Sequence, residues 1–376
     1  MVTIEKNKGP SLIKSVDWFL LIVVFMLNTV GLMALRIFTV QMNEPRLFTK
    51  QLIASVIGVI AMVVMMIIDY KDLRILSLPA YGGTVILLIA VLVIGVGREE
   101  VGTNGWIDLG PMSFQPSELG KITLVIATAV FFEKIKNGGK AINYLFLIGV
   151  AGSLVGLILL QPDFGTAVVY LFMLALMIFV FGIRYRVLVI GFATTIVALP
   201  ILWFSVLEKV LQPFQINRIL SFINPAAYST TSAYHIDRAT LYIGSGMLLG
   251  VDESARKASA FVPEAETDSI FAIIGESWGF VGGTVVVLLF LLLLLRCLYI
   301  SHFAKDRYGA YVVIGFMAMF LFHFAENIGM NLRMFPVTGI PLPFISYGGS
   351  SIVINYVAIG IIQSISMRRT KPMFEA

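Results

Sequence analysis

Ten long apolar runs constrain the fold of this chain more than any other feature. Each is close to the roughly 20 residues that an α-helix needs to cross a hydrocarbon layer about 30 Å thick. The runs lie at 16–38, 51–69, 78–97, 117–133, 142–161, 164–182, 186–206, 270–299, 309–332 and 349–367. The sequence therefore predicts an all-α integral membrane protein with ten transmembrane helices, organised as one domain over 1–376.

The composition excludes several other classes of protein. Hydrophobic residues make up 58% of the chain and charged residues only 13%, which is too apolar for a soluble domain. The net charge of +5 comes from lysines and arginines scattered between apolar runs, so no nucleic-acid groove is expected. Cys297 is the only cysteine, and the three histidines lie far apart in sequence. Disulfide frameworks and histidine-rich metal sites are therefore not expected.

The distribution of positive charge predicts the orientation in the membrane. An even number of spans places both termini on one side, and more than half of the 27 lysines and arginines then fall in segments on that side. By the positive-inside rule both termini are cytoplasmic. The first helix has no cleavage site after it and is expected to be an uncleaved anchor. Residues 207–268 form a long extracytoplasmic loop between helices 7 and 8.

Two charged residues open the predicted fourth helix. Glu118 follows Pro116 and precedes Lys121 by three residues, so both charged side chains share one helical face. Glu118 could simply be an acid favoured by the helix dipole in the first turn. Alternatively, the two residues form an ion pair that faces an internal cavity able to bind a phosphate. The residues alone leave both interpretations open.

Three carboxylates lie within five residues just before the predicted eighth helix. They belong to Glu264, Glu266 and Asp268, and either Thr267 or Asp268 could cap the helix. Capping explains only one of the acids. Mutual repulsion could raise a carboxyl pKa into the range of a general base, or the group could bind a divalent cation.

The stretch from Thr338 to Ser351, which follows Asn327 at the end of the predicted ninth helix, is too rich in proline and glycine for a helix and too apolar for a solvated loop. Irregular backbone at membrane depth occurs only where protein buries it or where it lines a wet cavity. We therefore expect a re-entrant element at a binding site, in preference to a hairpin lying on the membrane surface. Two GxxxG spacings, Gly152/Gly156 and Gly279/Gly283, predict close contacts between helices.

These elements, in this order, resemble the SEDS family of shape, elongation, division and sporulation proteins, which includes RodA, FtsW and SpoVE. The resemblance covers nearly the whole chain. Its most specific part runs from Asn327 through Pro336 and Gly339 to the Ser-Tyr-Gly-Gly-Ser-Ser sequence at 346–351. Support also comes from FQPSELGK at 114–121, QPDFGT at 161–166 and VPEAETDSIF at 262–271.

The resemblance implies a multi-pass peptidoglycan glycosyltransferase that polymerises lipid II at the outer face of the bacterial cytoplasmic membrane. It implies Asp268 as the essential acid, with Glu118 and Lys121 as further catalytic residues. Asp268 would deprotonate the acceptor sugar 4-hydroxyl while a lipid pyrophosphate leaves the donor, stabilised by cationic groups such as Lys121, Arg218 and Arg333 or by a divalent cation near Asp268. The other expected substrate-binding residues are Glu264, Thr267, Pro343, Ser346, Gly348, Gly349 and Ser350.

The implied partners are lipid II, the lipid bilayer and a class B penicillin-binding protein with transpeptidase activity, within an elongation or division complex. The chain also departs from the family pattern, mostly in its long outer loop. The departures are Gly105, Glu266, Ser269, Ser277, Met247 and the Asp237-Arg238-Ala239 run. They leave Asp268, Glu118 and Lys121 intact, so we expect catalysis to be retained while regulation or donor-site geometry differs.

Two other functions agree with the same sequence. Intramembrane charges and broken helices are also typical of transporters, so a flippase for lipid II or another lipid-linked sugar is the main alternative. A non-catalytic scaffold that recruits a transpeptidase is the third. Neither composition nor the spacing of the apolar runs separates these alternatives from the enzyme.

Overall fold

A computed structural model describes residues 15–97, 105–108, 110, 113–182, 213–224 and 232–369. Two short strands pair antiparallel, and the other elements are helical. In chain order they are α1 (Trp18–Met42), α2 (Pro45–Ile67), α3 (Tyr70–Ile94), β1 (Ile107–Asp108), β2 (Ser113–Phe114), α4 (Pro116–Lys136), α5 (Ile142–Leu160), α6 (Phe164–Phe181), α7 (Pro213–Ile223), α8 (Ser232–Ser245), a 3-10 helix (Glu253–Ala255), α9 (Ala258–Phe261), α10 (Ile270–His302), α11 (Arg307–Asn331) and α12 (Gly349–Met367).

The helices confirm the predicted class of all-α integral membrane protein. Eight helices of the described chain are long and apolar enough to cross a membrane: α1, α2, α3, α5, α6, α10, α11 and α12. A ninth predicted span corresponds to α4, which carries charged residues at both ends. The predicted seventh helix, 186–206, lies outside the described residues.

Helix α4 lies in the interior of the bundle, packed against α3, α5 and α11, and most of its residues are buried. By contrast, α2, α3 and α5 expose many large apolar side chains, as lipid-facing helices do. The charged first turn of α4 is therefore surrounded by protein. This location positions the candidate site within the helices and away from the lipid-facing surface.

Polar contacts join helix ends on one side of the bundle. The Asp17 carboxylate, just before α1, accepts hydrogen bonds from Arg296 near the end of α10 and lies 3.3 Å from Arg369 beyond α12. Arg74 near the start of α3 pairs with Glu133 near the end of α4 at 2.8 Å. The start of the first helix and the end of the last helix thus lie on the same side, as the even number of spans predicts.

Helix α10 contains a break that the GxxxG interpretation did not anticipate. Gly279 has a φ of 62° and a ψ of −157°, so the helix is interrupted there. The following amides of Phe280 and Val281 donate to the carbonyls of Met247 and Leu248, at 2.8 and 3.1 Å. The break therefore lies against the turn after α8. Glycine suits this position because it tolerates a positive φ and has no Cβ to block the close approach of another backbone.

The second predicted GxxxG contact is wrong. A Cβ added at Gly152 or at Gly156 on α5 would meet no atom within 4 Å, so neither glycine packs closely against another of the described helices. Sequence spacing alone does not reveal which face of a membrane helix turns towards protein.

Candidate active site

A buried ion pair lies in the first turn of α4. The Lys121 ammonium group lies 2.7 Å from a Glu118 carboxylate oxygen, and the two residues are 2% and 3% exposed. An isolated charge at this depth costs several kcal/mol, whereas an ion pair offsets part of that cost. The ion pair of the second interpretation is therefore present, while the phosphate-binding cavity stays a prediction.

The ion pair is connected to α11 through His323. The ring Nε2 of His323 lies 3.2 Å from the Lys121 ammonium group, and the ring Nδ1 lies 3.0 Å from the carbonyl oxygen of Pro341. A carbonyl only accepts hydrogen bonds, so Nδ1 carries the proton and Nε2 accepts from Lys121. Lys121 thereby binds one group on its own helix and one group that contacts the irregular segment after α11.

Asp268 lies in the turn that precedes α10, and its side chain is buried. Its backbone carbonyl accepts hydrogen bonds from the amide groups of Asn327 and Asn331 on α11, at 2.8 and 3.0 Å. One of its carboxylate oxygens has no hydrogen-bond partner among the described residues. The backbone of Asp268 is therefore fixed, while its carboxylate retains capacity to accept a proton.

The capping prediction at this position is wrong. The residue that caps α10 is Ser269, and no side-chain hydrogen bond accompanies it. Thr267 instead donates to the Glu264 carboxylate at 3.1 Å. Neither Thr267 nor Asp268 is engaged with the helix, because the tight turn over 263–269 directs both side chains elsewhere.

Burial is the main reason that Asp268 differs from an ordinary aspartate. Burial, and next the negative charge of Glu264, raise the pKa of Asp268 to about 7, while Arg218 opposes the shift and Glu266 adds to it. A carboxyl group with a pKa near the working pH exchanges a proton readily, as a general base must. Burial also raises the pKa of Glu266.

Arg218 of α7 and Asp268 both approach Gly339 closely. A Cβ added at Gly339 would be 3.7 Å from Arg218 Nη1 and 3.7 Å from Asp268 Oδ2, and the glycine has a φ of 75°. Arg218 Nη1 also donates to the carbonyl of Thr338 at 3.3 Å. The Thr338-Gly339 backbone thus brings together the acid and the guanidinium that the sequence analysis assigned to base and pyrophosphate chemistry.

The irregular segment after α11 is largely buried, with Val337, Ile340, Leu342, Phe344 and Ile345 in the core. It packs so closely on α1 that a Cβ added at Gly31 would lie 2.5 Å from the Cα of Ile345. This burial agrees with the expected re-entrant element and not with a hairpin on the surface.

Several predicted substrate-binding residues of this segment make structural contacts. The Ser346 hydroxyl accepts from the amide of Leu342 at 2.8 Å, and the Gly348 amide donates to Gln51 at 3.1 Å. The Ser350 hydroxyl donates to the Ser113 carbonyl at 2.8 Å and accepts from the Gln115 amide. Pro343 is buried, and Gly349 begins α12. These contacts join the segment to α2 and to residues 113–115.

Arg333 does not reach Asp268 in this structure. It forms an ion pair with Asp237 of α8, and both side chains are nearly half exposed. Asp237 belongs to the run that departs from the family pattern, so this pair is a feature of the present chain. Glu264 is exposed and turned outward at a φ of 51°.

A small crevice opens beside Asp268. It is lined by residues of α8, of α11 and of the segment after α11, among them His235, Ala239, Asn331 and Val337. Burial lowers the pKa of His235; the negative charge of Glu264 opposes this shift and the positive charge of Arg218 adds to it. Asp268 is itself one of the residues that line the crevice.

Two ionisable residues of this site were not assigned a role from the sequence. They are His323 and Glu326, which lie on one face of α11. The spacing of the histidines in the sequence bears only on metal binding. An ionisable residue within an apolar span marks a functional site by default, and this signal was present in the predicted ninth helix. Within the described ranges, no group of three or more His, Cys, Asp or Glu side chains gathers to hold a metal ion.

Comparison with known proteins relates this arrangement to a family. The family of cell cycle proteins FtsW, RodA and SpoVE matches the sequence over residues 14–371. Stage V sporulation protein E of Bacillus subtilis is 35% identical over 368 residues, covering 94% of this chain and 97% of that protein. Peptidoglycan glycosyltransferase MrdB of Escherichia coli is 33% identical over 295 residues, 76% of each chain.

Solved structures give the same result for the fold. A chain from a peptidoglycan synthase complex, described as coordinating polymerization and crosslinking, superposes with a TM-score of 0.80 at 29% identity, covering 95% of this chain and 99% of that one. The rod shape determining protein RodA of Thermus thermophilus superposes with a TM-score of 0.70 at 28% identity, covering 95% and 98%.

Proposed function

The chain belongs to the FtsW, RodA and SpoVE family and is a peptidoglycan glycosyltransferase, and from this premise we propose that it polymerises lipid II at the outer face of the bacterial cytoplasmic membrane. The observation that carries the proposal is the buried Asp268 carboxylate, which lies beside a crevice and, like Arg218, close to Gly339, and of which one oxygen has no hydrogen-bond partner in the described part of the chain. Glu118 and Lys121 complete the proposed site.

The proposed reaction is a displacement at the anomeric carbon of the donor sugar. The 4-hydroxyl oxygen of the acceptor attacks that carbon, the bond to the lipid pyrophosphate breaks, and the hydroxyl proton passes to Asp268. General base catalysis of this kind contributes about 10²–10⁴ to the rate. A buried carboxylate with a raised pKa is suited to the step because it gains a proton at neutral pH.

The departing pyrophosphate requires positive charge. Arg218 is the best-placed candidate, because its guanidinium and the Asp268 carboxylate both lie close to Gly339. The Lys121 ammonium group is already bound to Glu118 and His323, so it is a less available cation than Arg218. Arg333 would have to leave Asp237 first. Preorganised cations stabilise charge that grows in the transition state.

The lipid and protein partners follow from the same premise. The polyprenyl tails of donor and acceptor would lie in grooves between the apolar outer faces of the membrane helices. A class B penicillin-binding protein is the proposed transpeptidase partner, within an elongation or division complex. The relative solved within a synthase complex that coordinates polymerization and crosslinking supports this partnership.

The experiment measures glycan-strand formation from labelled lipid II by the purified protein in liposomes, with and without its cognate transpeptidase. The proposal expects polymer from the wild type. A parallel assay follows movement of labelled lipid II across the bilayer. Transport without polymer would favour the flippase alternative. The broken helix α10 and the buried ion pair are features that transporters also have. Neither activity would favour the scaffold.

A further inference from the structure

Glu326 is a buried acid in the middle of the site, and the mechanism above does not use it. It lies on α11, is 4% exposed, and accepts a hydrogen bond from the Thr338 hydroxyl. Its second carboxylate oxygen has no hydrogen-bond partner among the described residues. Burying a carboxylate costs free energy unless hydrogen bonds or an opposite charge offset it, so this residue is expected to have a specific role.

Glu326 belongs to a polar face of α11 that binds one short segment of backbone. His323 Nδ1 donates to the carbonyl of Pro341, and Asn327 Nδ2 donates to the carbonyl of Ile340 at 2.8 Å. Positions 323, 326 and 327 are three and four residues apart, so their side chains lie on the same face of the helix. Together they hold 338–341 from the α11 side.

The other side of this segment faces the reacting groups. The carbonyl of Thr338 accepts from Arg218, and a Cβ added at Gly165 on α6 would lie 2.8 Å from the same carbonyl. Gly339, next in sequence, lies close to both Arg218 and Asp268. Through the hydrogen bond from Arg218, the position of Thr338 influences where the guanidinium lies relative to the carboxylate.

We propose that Glu326 is a positioning residue for glycosyl transfer: by binding Thr338, it fixes the Thr338-Gly339 backbone next to Arg218 and Asp268. The inference rests on the proposed function. Of these three α11 residues, His323 and Asn327 bind backbone carbonyls, whereas Glu326 binds the side chain of Thr338. The backbone carbonyl of Thr338 in turn accepts a hydrogen bond from Arg218. Loss of this contact lets the Thr338 backbone and the bound guanidinium shift, and a displacement of about 1 Å costs about 10²-fold in rate.

The test compares removal of the contact with its conservative replacement. Glu326→Ala and Thr338→Val each remove the hydrogen bond, and we expect kcat for polymerisation to fall roughly 10–100-fold with KM for lipid II within about threefold. Glu326→Gln retains an acceptor oxygen and Thr338→Ser retains the hydroxyl. Both should keep kcat within about threefold of the wild type.

A double-mutant cycle separates positioning from general destabilisation. The Glu326→Ala/Thr338→Val double variant should lose no more activity than either single variant, because both single variants break the same contact. Glu133→Ala is the matched control: it removes a mostly buried acid that pairs with Arg74 at the opposite end of α4. That variant should polymerise lipid II at the wild-type rate.

Three results would overturn the inference. They are wild-type kcat in Glu326→Ala, equal losses in Glu326→Gln and Glu326→Ala, and additive losses in the double variant. The proposed function still stands after either of the first two results if the wild type polymerises lipid II and Asp268→Asn does not. An inactive wild type with its transpeptidase present would overturn the proposed function, and the role of Glu326 with it.

Discussion

The acidic limb of the pH–rate profile should report the ionisation of Asp268. A general base acts only when it is ionised, and the pKa of Asp268 is raised to about 7. With that pKa, about 9% of the carboxyl groups are ionised at pH 6 and about 91% at pH 8, so kcat/KM should rise roughly tenfold between them. An ordinary aspartate would be ionised throughout this range.

A single substitution should move this limb. After burial, the charge of Glu264 is the largest cause that raises the pKa of Asp268, so Glu264→Gln should shift the midpoint to lower pH. Activity at pH 6 should therefore rise relative to activity at pH 8. Glu253→Gln is the control, because Glu253 is an exposed acid of the same outer loop. Its midpoint should equal that of the wild type.

The assay is the initial rate of glycan-strand formation at limiting lipid II, which gives kcat/KM and hence the pKa of the free enzyme. The same liposomes are used at each pH, with recovery of activity at pH 8 as a check on unfolding. A flat profile between pH 6 and 8 would refute the assignment of Asp268 as the base. An unchanged midpoint in Glu264→Gln would refute the stated cause.

Three further predictions concern stability, measured as unfolding temperature in detergent. Because the pKa of Asp268 is raised from 3.8 to about 7, the folded protein binds a proton that the unfolded chain releases between these pH values, and stability falls as pH rises through that window. Asp268→Asn should therefore unfold at a higher temperature than the wild type at pH 8, with the difference vanishing at low pH. Lys121→Met should destabilise the protein by about 3–5 kcal/mol, because it leaves Glu118 charged and unpaired; adding Glu118→Gln should restore stability without restoring activity. Gly279→Ala should cost about 1–3 kcal/mol from its backbone conformation alone, and more from the contact with the backbone of Gly250, whereas Gly152→Ala, with open space around its Cβ, should have no such effect.

The apolar runs predicted most of the fold because hydrocarbon imposes helix on any chain that crosses it. Predicted spans at 142–161, 164–182 and 349–367 match α5, α6 and α12 within one residue at each end. The start of α2 at Pro45 and of α3 at Tyr70 lie several residues before the predicted spans. Charged residues there lower the hydropathy while the backbone remains helical.

The site was predicted in part. Asp268, Glu118 and Lys121 stand out as charges at the ends of apolar helices, and the structure buries all three. The contacts among distant segments could not be read from spacing. The pairing of Arg333 with Asp237 and the approach of Arg218 to Gly339 depend on how α8 and α7 pack, which no local pattern encodes. The break at Gly279 depends likewise on the turn after α8.

The most direct test of the central claim compares two acids of one turn. Asp268 and Glu266 are two residues apart, and burial raises the pKa of both, yet only Asp268 is assigned as the base. The measurement is the rate of lipid II polymerisation by Asp268→Asn and by Glu266→Gln at matched protein levels. Asp268→Asn should lose about 10²–10⁴-fold and Glu266→Gln no more than a few-fold. Equal rates in the two variants, or glycan strands formed by Asp268→Asn at the wild-type rate, would contradict the account.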